Sequence, residues 1–192
     1  MRSLFKACLL AFFGLSAGGA RAEILCTLIV DAETGAALIE EGACDARVTP
    51  ASTFKIPLAV MAYDAEILID AHHPVMAYRA GDPDWGGADW TRDTDPTGWM
   101  RYSVLWFSQR IASALGAAEL ARRAEAFGYG NADFSGDPGF DNGLERAWIA
   151  SSLLVSPLEQ AGFLRALVGG ALPVGSSAMA RARHRRDARN RR

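Results

Sequence analysis

The serine and the lysine in Ala51-Ser52-Thr53-Phe54-Lys55 constrain this chain more than any other feature of its sequence. An apolar run follows at residues 56–63 and predicts a helix that runs to about Asp70. Three residues are close to one helical turn, so Ser52 Oγ and Lys55 Nζ can meet on one face. A serine hydroxyl becomes a good nucleophile when a neighbouring base takes its proton. A lysine can be that base if burial lowers its pKa or if its amine is modified.

Ser-x-x-Lys alone is a weak signal, because chance matches to so short a motif are common. The alternative interpretation is an N-cap serine beside a surface lysine. The chain has only two lysines, Lys6 and Lys55, and its other basic residues are arginines. A single lysine retained beside a serine favours a chemical role, although a GC-rich gene would also replace lysine by arginine.

The first 22 residues have the pattern of a secretory signal peptide. Arg2 and Lys6 precede an apolar stretch at 7–15, and small residues lead to a cleavage site after Ala22. The apolar stretch is too short to span a membrane. We therefore expect export to the periplasm and no membrane association after cleavage.

Two cysteines, Cys26 and Cys44, follow that cleavage site. They flank a predicted β-hairpin over residues 26–40 with a turn at 31–35. Because export places thiols in an oxidising compartment, we predict a disulfide between them. Two free buried thiols are the alternative, since the sequence does not fix the Cα separation.

The charge distribution bears on the binding partners. Residues 23–180 hold ten basic and 21 acidic residues, a net charge of −11, which argues against binding to nucleic acid. The tandem His72-His73 has no further ligands at helical or strand spacing, so no metal site is expected. No feature of the sequence indicates an oligomeric state.

Helical patterns dominate the rest of the chain. Residues 71–99 are rich in proline and glycine and contain three tryptophans, which predicts an irregular stretch. The predicted later helices are Met100 to Leu115, Ala117 to Phe127, and one that starts at Pro157 behind a Ser156/Glu159 capping box and ends at Gly169-Gly170.

Three further clusters lie along the chain: Ser103-Val104-Leu105-Trp106-Phe107-Ser108-Gln109, Tyr129-Gly130-Asn131, and Trp148 within residues 147–153. Each alone has a structural explanation, respectively a cap, a turn and a core side chain. In this order and spacing, together with Ser52 and Lys55, they resemble the motifs of the class D β-lactamases (oxacillinases). The resemblance extends from about Cys26 to Met179 and includes stretches between the motifs, such as Thr53-Phe54-Lys55-Ile56-Pro57 and Asp133-Phe134-Ser135-Gly136-Asp137.

The resemblance implies an α+β fold of the serine β-lactamase and penicillin-binding-protein kind, a helical region plus an antiparallel sheet, with residues 23–179 as its domain. It implies that Ser52 attacks the β-lactam carbonyl and forms an acyl-enzyme. Lys55 would react with CO2 to give N6-carboxylysine, the general base, and no other cofactor is implied. The expected partners are β-lactam small molecules, and the expected function is antibiotic resistance.

The remaining motif residues receive roles from the same resemblance. Trp148 would donate its indole N–H to the carbamate, and Ser103 would pass a proton to the lactam nitrogen. Leu105, Tyr129 and Asn131 would form the substrate-binding wall. Leu105 stands where the family has valine, so we expect a changed pocket shape rather than changed chemistry.

One family motif, Lys-Thr-Gly, does not follow in this sequence. Residues 180–192 instead form an Arg-rich tail, with seven arginines in the last twelve residues. We expect a truncated or frameshifted copy with an incomplete sheet and little or no activity, since losing one oxyanion-hole donor lowers rates by about 10²–10³.

Two alternatives stay open. The chain could be a penicillin-binding or sensor-type protein that acylates without turnover, although a sensor would need a membrane anchor. It could also be a non-catalytic fragment or an Arg-tailed protein that binds polyanions.

Overall fold

The computed structural model describes residues 24–183, and within that range it contains one antiparallel hairpin and seven α-helices. The strands are β1 (Cys26–Val30) and β2 (Ala37–Gly42). The helices are α1 (Lys55–Asp64), α2 (Pro96–Tyr102), α3 (Leu105–Leu115), α4 (Ala117–Ala126), α5 (Gly143–Arg146), α6 (Pro157–Gly169) and α7 (Ser176–Arg183).

Two predicted segments reach beyond this range. The predicted signal at 1–22 and residues 184–192 of the Arg-rich tail lie outside the described residues, whereas residues 180–183 form the end of α7. A search of the described helices for one long and apolar enough to cross a membrane finds none.

The predicted hairpin is confirmed, with Ile29 paired to Ile39 in an antiparallel register. Asp31 shapes its turn, because its carboxylate accepts hydrogen bonds from the backbone N–H and the hydroxyl of Thr34 at 2.6 and 2.7 Å. Gly35 has a φ of +79°, a conformation that glycine adopts without strain. Asp, Thr and Gly at these positions therefore explain why the chain reverses here.

The predicted disulfide is also present: Cys26 and Cys44 are bonded, with their Cα atoms 5.0 Å apart. It joins the first residue of β1 to the segment that follows β2. The hairpin packs through β1 against α6. The bridge closes the base of the hairpin, and the contact with α6 attaches the hairpin to the helical part of the chain.

Helix α1 ends at Asp64, six residues before the predicted end. Glu66 has a φ of +56°, and the N–H groups of Ile67 and Leu68 both donate to the carbonyl of Ala62. This turn reverses the chain and buries Leu68 completely. The prediction of a longer helix was wrong because an apolar residue past a helix end can serve the core as well as one inside it.

The single helix predicted over 100–115 is two helices, α2 and α3. Ser103 is the C-cap of α2 with a φ of +58°, and Val104 is the extended N-cap of α3. Helix α2 also starts earlier than predicted, where the Asp95 side chain accepts from the N–H of Gly98 and Pro96 occupies the first turn. The break places Ser103 at a corner between two helices.

The two later predicted helices are confirmed as α4 and α6. Ser156 and Glu159 form the predicted capping box at the start of α6, and Gly170 caps its end in a left-handed conformation. Helix α1 contacts α3, α4 and α7 and is the centre of the helical core. The largest fully buried side chains include Phe54, Leu58, Met61, Trp99, Trp106 and Phe107.

The architecture is α+β with an incomplete sheet, as the sequence predicts. Within residues 24–183 the only sheet is the two-stranded hairpin. Every residue of β2 is exposed, and Ile29, Leu38 and Ile39 present apolar side chains to solvent. The helical core is therefore well packed, whereas the two-stranded sheet leaves Ile29, Leu38 and Ile39 exposed.

Candidate active site

Ser52 lies in a short 3-10 helix (Ala51–Phe54) that leads directly into α1. Ser52 is exposed, while Phe54 and Lys55 are buried. Phe54 anchors the turn because its ring packs against the aromatic rings of Phe134 and Trp148 at 5.6 and 5.3 Å between centroids. The anchored turn holds an accessible hydroxyl at the start of a buried helix.

Ser103 joins Ser52 to Lys55. Ser52 Oγ lies 2.8 Å from Ser103 Oγ, and Lys55 Nζ donates to the same Ser103 oxygen at 2.5 Å. The sequence predicted that Ser52 and Lys55 share one face, and the structure adds that a second hydroxyl, that of Ser103, links them. A proton can thus pass between the two serines and the lysine along two short hydrogen bonds.

Burial lowers the pKa of Lys55 to about 8, from an ordinary value of 10.5. Only 7% of the residue is exposed, and no acidic group is among the causes of the shift. At pH 7 about a tenth of the amine is therefore neutral, compared with about one part in three thousand for an exposed lysine. Both nucleophilic reaction and proton acceptance require this neutral form.

Trp148 is brought to the same place by a connection between two distant segments. Val48 and Val155 form an antiparallel bridge, and the Thr49 hydroxyl donates to the backbone carbonyl of Trp148 at 3.0 Å. Trp148 is almost fully buried and its ring stacks on Phe54. The bridge explains how a residue nearly a hundred positions from Ser52 in sequence becomes its neighbour.

These side chains line one cavity of about 290 Å³. Its lining is apolar apart from the serine and lysine groups. The lining residues are Ala51, Ser52, Lys55, Trp85, Trp90, Ser103, Leu105, Ser108, Trp148 and Ile149. All four predicted catalytic residues, and Leu105 of the predicted substrate wall, therefore surround the same space.

The sequence reasoning missed an aromatic pair at this cavity. Trp85 is 75% exposed, and its ring lies 4.3 Å from that of Trp90 between centroids. Trp90 is buried and donates its indole N–H to the carbonyl of Tyr102. Gly86 permits the pair, because a Cβ there would lie 2.2 Å from the Trp90 ring. Two tryptophans within a loop rich in glycine and acidic residues were the signal that could have revealed it.

Tyr129 lies outside the cavity lining. Its ring is fully buried against Phe54 and Phe163, and its hydroxyl donates to Gln160 Oε1 at 2.7 Å. Burial raises the pKa of Tyr129 to about 12, which keeps the phenol neutral. The structure thus places this residue in the core beneath the site, and direct substrate contact by Tyr129 stays a prediction.

Asn131 also lies outside the cavity lining and holds two loops together. Its side chain donates to the carbonyl of Ser152 at 2.8 Å and accepts from the N–H of Leu154 at 2.9 Å. Gly130 lies against the same segment, where a Cβ would come within 2.1 Å of the Leu154 carbonyl oxygen. The Tyr-Gly-Asn motif thus supports the segment that follows Trp148, and its role in substrate binding stays a prediction.

The histidine pair that the sequence analysis considered is bound to carboxylates. His72 Nδ1 lies 2.7 Å from an oxygen of Asp95, and His73 Nδ1 lies 3.0 Å from Asp70. Among residues 24–183 no cluster of three or more His, Cys, Asp or Glu side chains could hold a metal ion.

The site holds a serine at the start of a buried helix, a lysine with a lowered pKa one turn later and a second serine between them. This arrangement is able to activate a serine as a nucleophile. Residues 25–173 match the penicillin-binding protein transpeptidase domain, and the chain therefore belongs to this family.

Its relatives confirm the resemblance to class D β-lactamases. The chain is 42% identical to the β-lactamase OXA-9 of Klebsiella pneumoniae over 156 residues, 80% of this chain and 56% of that protein. It is 39% identical to the β-lactamase OXA-1 of Escherichia coli over 80% of this chain and 55% of the relative. The crystal structure of the OXA-427 class D β-lactamase aligns with a TM-score of 0.78 and 45% identity, covering 83% of this chain and 65% of that one. The chain thus spans about half the length of these curated relatives.

Proposed function

We propose that the chain is a serine β-lactamase of class D type, which takes β-lactams such as penicillins as substrates and is acylated at Ser52. The observation that carries the proposal is the hydrogen-bonded series Ser52, Ser103 and Lys55 at the wall of one cavity. A surface lysine beside a cap serine would explain neither the lowered pKa of Lys55 nor the convergence of Ser103.

In the acylation step Ser52 Oγ forms a bond to the lactam carbonyl carbon, and the lactam C–N bond breaks. The hydroxyl proton of Ser52 leaves toward the base, and Ser103 returns a proton to the departing nitrogen. Ser103 suits this role because its hydroxyl contacts both Ser52 and Lys55. Leu105, Trp85 and Trp90 would hold the substrate at the apolar walls of the cavity.

The general base in this proposal is Lys55 after carboxylation by CO2. The neutral amine and CO2 give a carbamate and release one proton, which supplies an oxygen base for Ser52. The site fits this modification because burial favours the neutral amine and the adjoining cavity has room for the added group. The Trp148 ring lines the same cavity, and its indole N–H is the proposed donor to the carbamate.

A second function is favoured by one specific observation. Lys55 Nζ lies within hydrogen-bond distance of Ser103 Oγ, so a neutral, unmodified amine can accept the Ser52 proton through Ser103. A chain that works in this way would acylate with a β-lactam but have no separate base for water. It would then behave as a penicillin-binding protein that acylates without turnover.

Labelling with a fluorescent penicillin, followed by hydrolysis of a chromogenic cephalosporin with and without bicarbonate, tests both functions. We expect covalent labelling of one site and turnover that bicarbonate stimulates. The 192-residue sequence does not contain Lys-Thr-Gly, the motif that supplies an oxyanion donor in the family. We therefore expect the turnover by this chain to be slow.

Ser52→Ala is the matched control, because it removes the nucleophile at an exposed position where the loss of one oxygen has little effect on packing. Labelling without turnover in either buffer would favour the second function. A folded chain that is not labelled at all, or that is labelled equally well after Ser52→Ala, would refute both functions.

We further propose that the protein acts in the periplasm after export.

A further inference from the structure

Ser108 is a buried polar residue that the proposed mechanism does not use. It lies in the first turns of α3, one helical turn after Leu105, and both side chains line the cavity that holds Ser52 and Lys55. Only 1% of Ser108 is exposed. A hydroxyl in this position has to find its hydrogen-bond partners inside the protein or the cavity.

The hydroxyl of Ser108 accepts a hydrogen bond, but its own proton has no acceptor among the described residues. Trp99 Nε1 donates to Ser108 Oγ at 2.8 Å, so the serine oxygen acts as an acceptor. A hydroxyl can also donate its own proton. Among the described residues no hydrogen bond takes that proton, and Ser108 lines the cavity that also holds Lys55.

We propose that Ser108 is a positioning residue that donates its hydroxyl proton to a carbamate oxygen on Lys55. It would thereby set how readily the chain takes up CO2. This inference rests on the proposed function, in which Lys55 is carboxylated. It deepens that function by naming a hydroxyl donor to which the resemblance gives no role.

The chemistry of the two lysine forms explains why the donor suits the carbamate. A protonated lysine has no acceptor atom, so Ser108 gains nothing from it. A carbamate has two oxygens and a negative charge, and hydrogen bonds to charged acceptors are stronger than neutral ones. The bond from Trp99 further polarises the Ser108 hydroxyl and strengthens its donation. The unused donor therefore favours the carbamate over the protonated amine, the main unmodified form of Lys55 at pH 7.

The test measures carbamate formation directly, without relying on catalysis. The purified chain is titrated with ¹³C-bicarbonate, and the carbamate carbon is followed by NMR. Lys55→Met supplies the blank that assigns the signal. We expect Ser108→Ala to raise the bicarbonate concentration for half-maximal signal about tenfold or more, the usual effect of losing a hydrogen bond to a charged group. Ser108→Cys has a weaker donor of similar size, so its half-maximal bicarbonate concentration should lie between those of the wild type and Ser108→Ala.

Trp99→Phe separates this role from a structural one. Both Trp99→Phe and Ser108→Ala remove the hydrogen bond between Trp99 and Ser108, and both should lower the melting temperature. Only Ser108→Ala removes the donor to Lys55, so Trp99→Phe should shift the bicarbonate dependence much less. If Ser108→Ala does not fold, Ser108→Cys carries the comparison.

The outcomes distinguish the inference from the function beneath it. A carbamate signal that Ser108→Ala and Ser108→Cys leave unchanged would overturn the inference alone. Equal shifts in Trp99→Phe and Ser108→Ala would reduce Ser108 to a packing role. A wild-type chain without any carbamate signal would refute carboxylation of Lys55 and the inference together.

Discussion

Replacing Lys55 by Met should abolish acylation and at the same time stabilise the chain at neutral pH. The separation between the ordinary lysine pKa of 10.5 and the value of about 8 for Lys55 corresponds to about 3 kcal/mol of destabilisation when the amine is charged. The substitution also removes the hydrogen bond to Ser103, which contributes about 1 kcal/mol. We therefore expect Lys55→Met to be about 2 kcal/mol more stable than the wild type at pH 7.

The sign of the pH dependence follows from which state binds the proton. Below pH 8 both the folded and the unfolded chain carry a charged Lys55, so the destabilisation is fully present. Between pH 8 and 10.5 the folded chain has lost the proton while the unfolded chain retains it, so the wild-type free energy of unfolding rises with pH. By pH 9.5 the wild type should have gained about 2 kcal/mol, which closes the gap to Lys55→Met.

Urea denaturation of both proteins at pH 7 and pH 9.5, in buffer depleted of CO2, measures the two differences. Other titrating groups contribute equally to both proteins and cancel. Residues 23–192 contain no second lysine, so an NMR titration of ¹³C-labelled lysine can report the pKa of Lys55 directly. Parallel stability curves for the two proteins between pH 7 and 9.5 would show that burial does not shift this amine, and the argument for a neutral Lys55 would fail.

Three further predictions concern the scaffold and the mouth of the cavity. Gly130→Ala should destabilise the chain by about 3 kcal/mol or more, since it adds a backbone clash to the strain of a positive φ. Gly128 also has a positive φ but no such clash, so Gly128→Ala should destabilise the chain by only about 1–2 kcal/mol. Thermal unfolding of both variants measures the difference. Cys44→Ser opens a disulfide that closes a separation of 18 residues and should lower the free energy of unfolding by about 3 kcal/mol, and a reductant should reproduce the loss in the wild type but not in the variant. Trp85→Ala should change the free energy of unfolding by less than about 0.5 kcal/mol but slow labelling by penicillins with an aromatic side chain. Phe140 is similarly exposed but does not line the cavity, so Phe140→Ala should leave the labelling rate unchanged. Equal labelling rates in both variants would exclude Trp85 from the substrate site.

The sequence was most informative where one local rule decides the structure. The α6 capping box, the hairpin turn at Asp31 and the pairing of the cysteines each depend on a few neighbouring residues. The cavity depends instead on contacts between distant segments. The bridge from Val48 to Val155 carries Trp148 to the site, and no periodicity in either segment encodes that pairing.

The resemblance to the class D β-lactamases identified most of the site residues, but it did not predict how they are arranged in space. It named Ser52, Lys55, Ser103 and Trp148, which the structure brings to one cavity. It could not indicate Ser108 or Trp85, because it gives these residues no role and their position follows from the break between α2 and α3 and from a loop folded on Trp90.

The break at Ser103 shows how the fold and the proposed chemistry depend on each other. A continuous helix over 100–115 would satisfy local propensity, yet Ser103 adopts a left-handed conformation that is unfavourable by about 1–2 kcal/mol for a residue with a Cβ. The corner directs the Ser103 hydroxyl toward Ser52 and Lys55. It also starts a new helix, α3, whose residues Leu105 and Ser108 line the cavity. Straightening the chain at this point would relieve the strain and separate the three groups. The strain at Ser103 and the buried charge of Lys55 are thus two local destabilisations, and the packed helices around α1 hold both in place at the site where acylation is proposed.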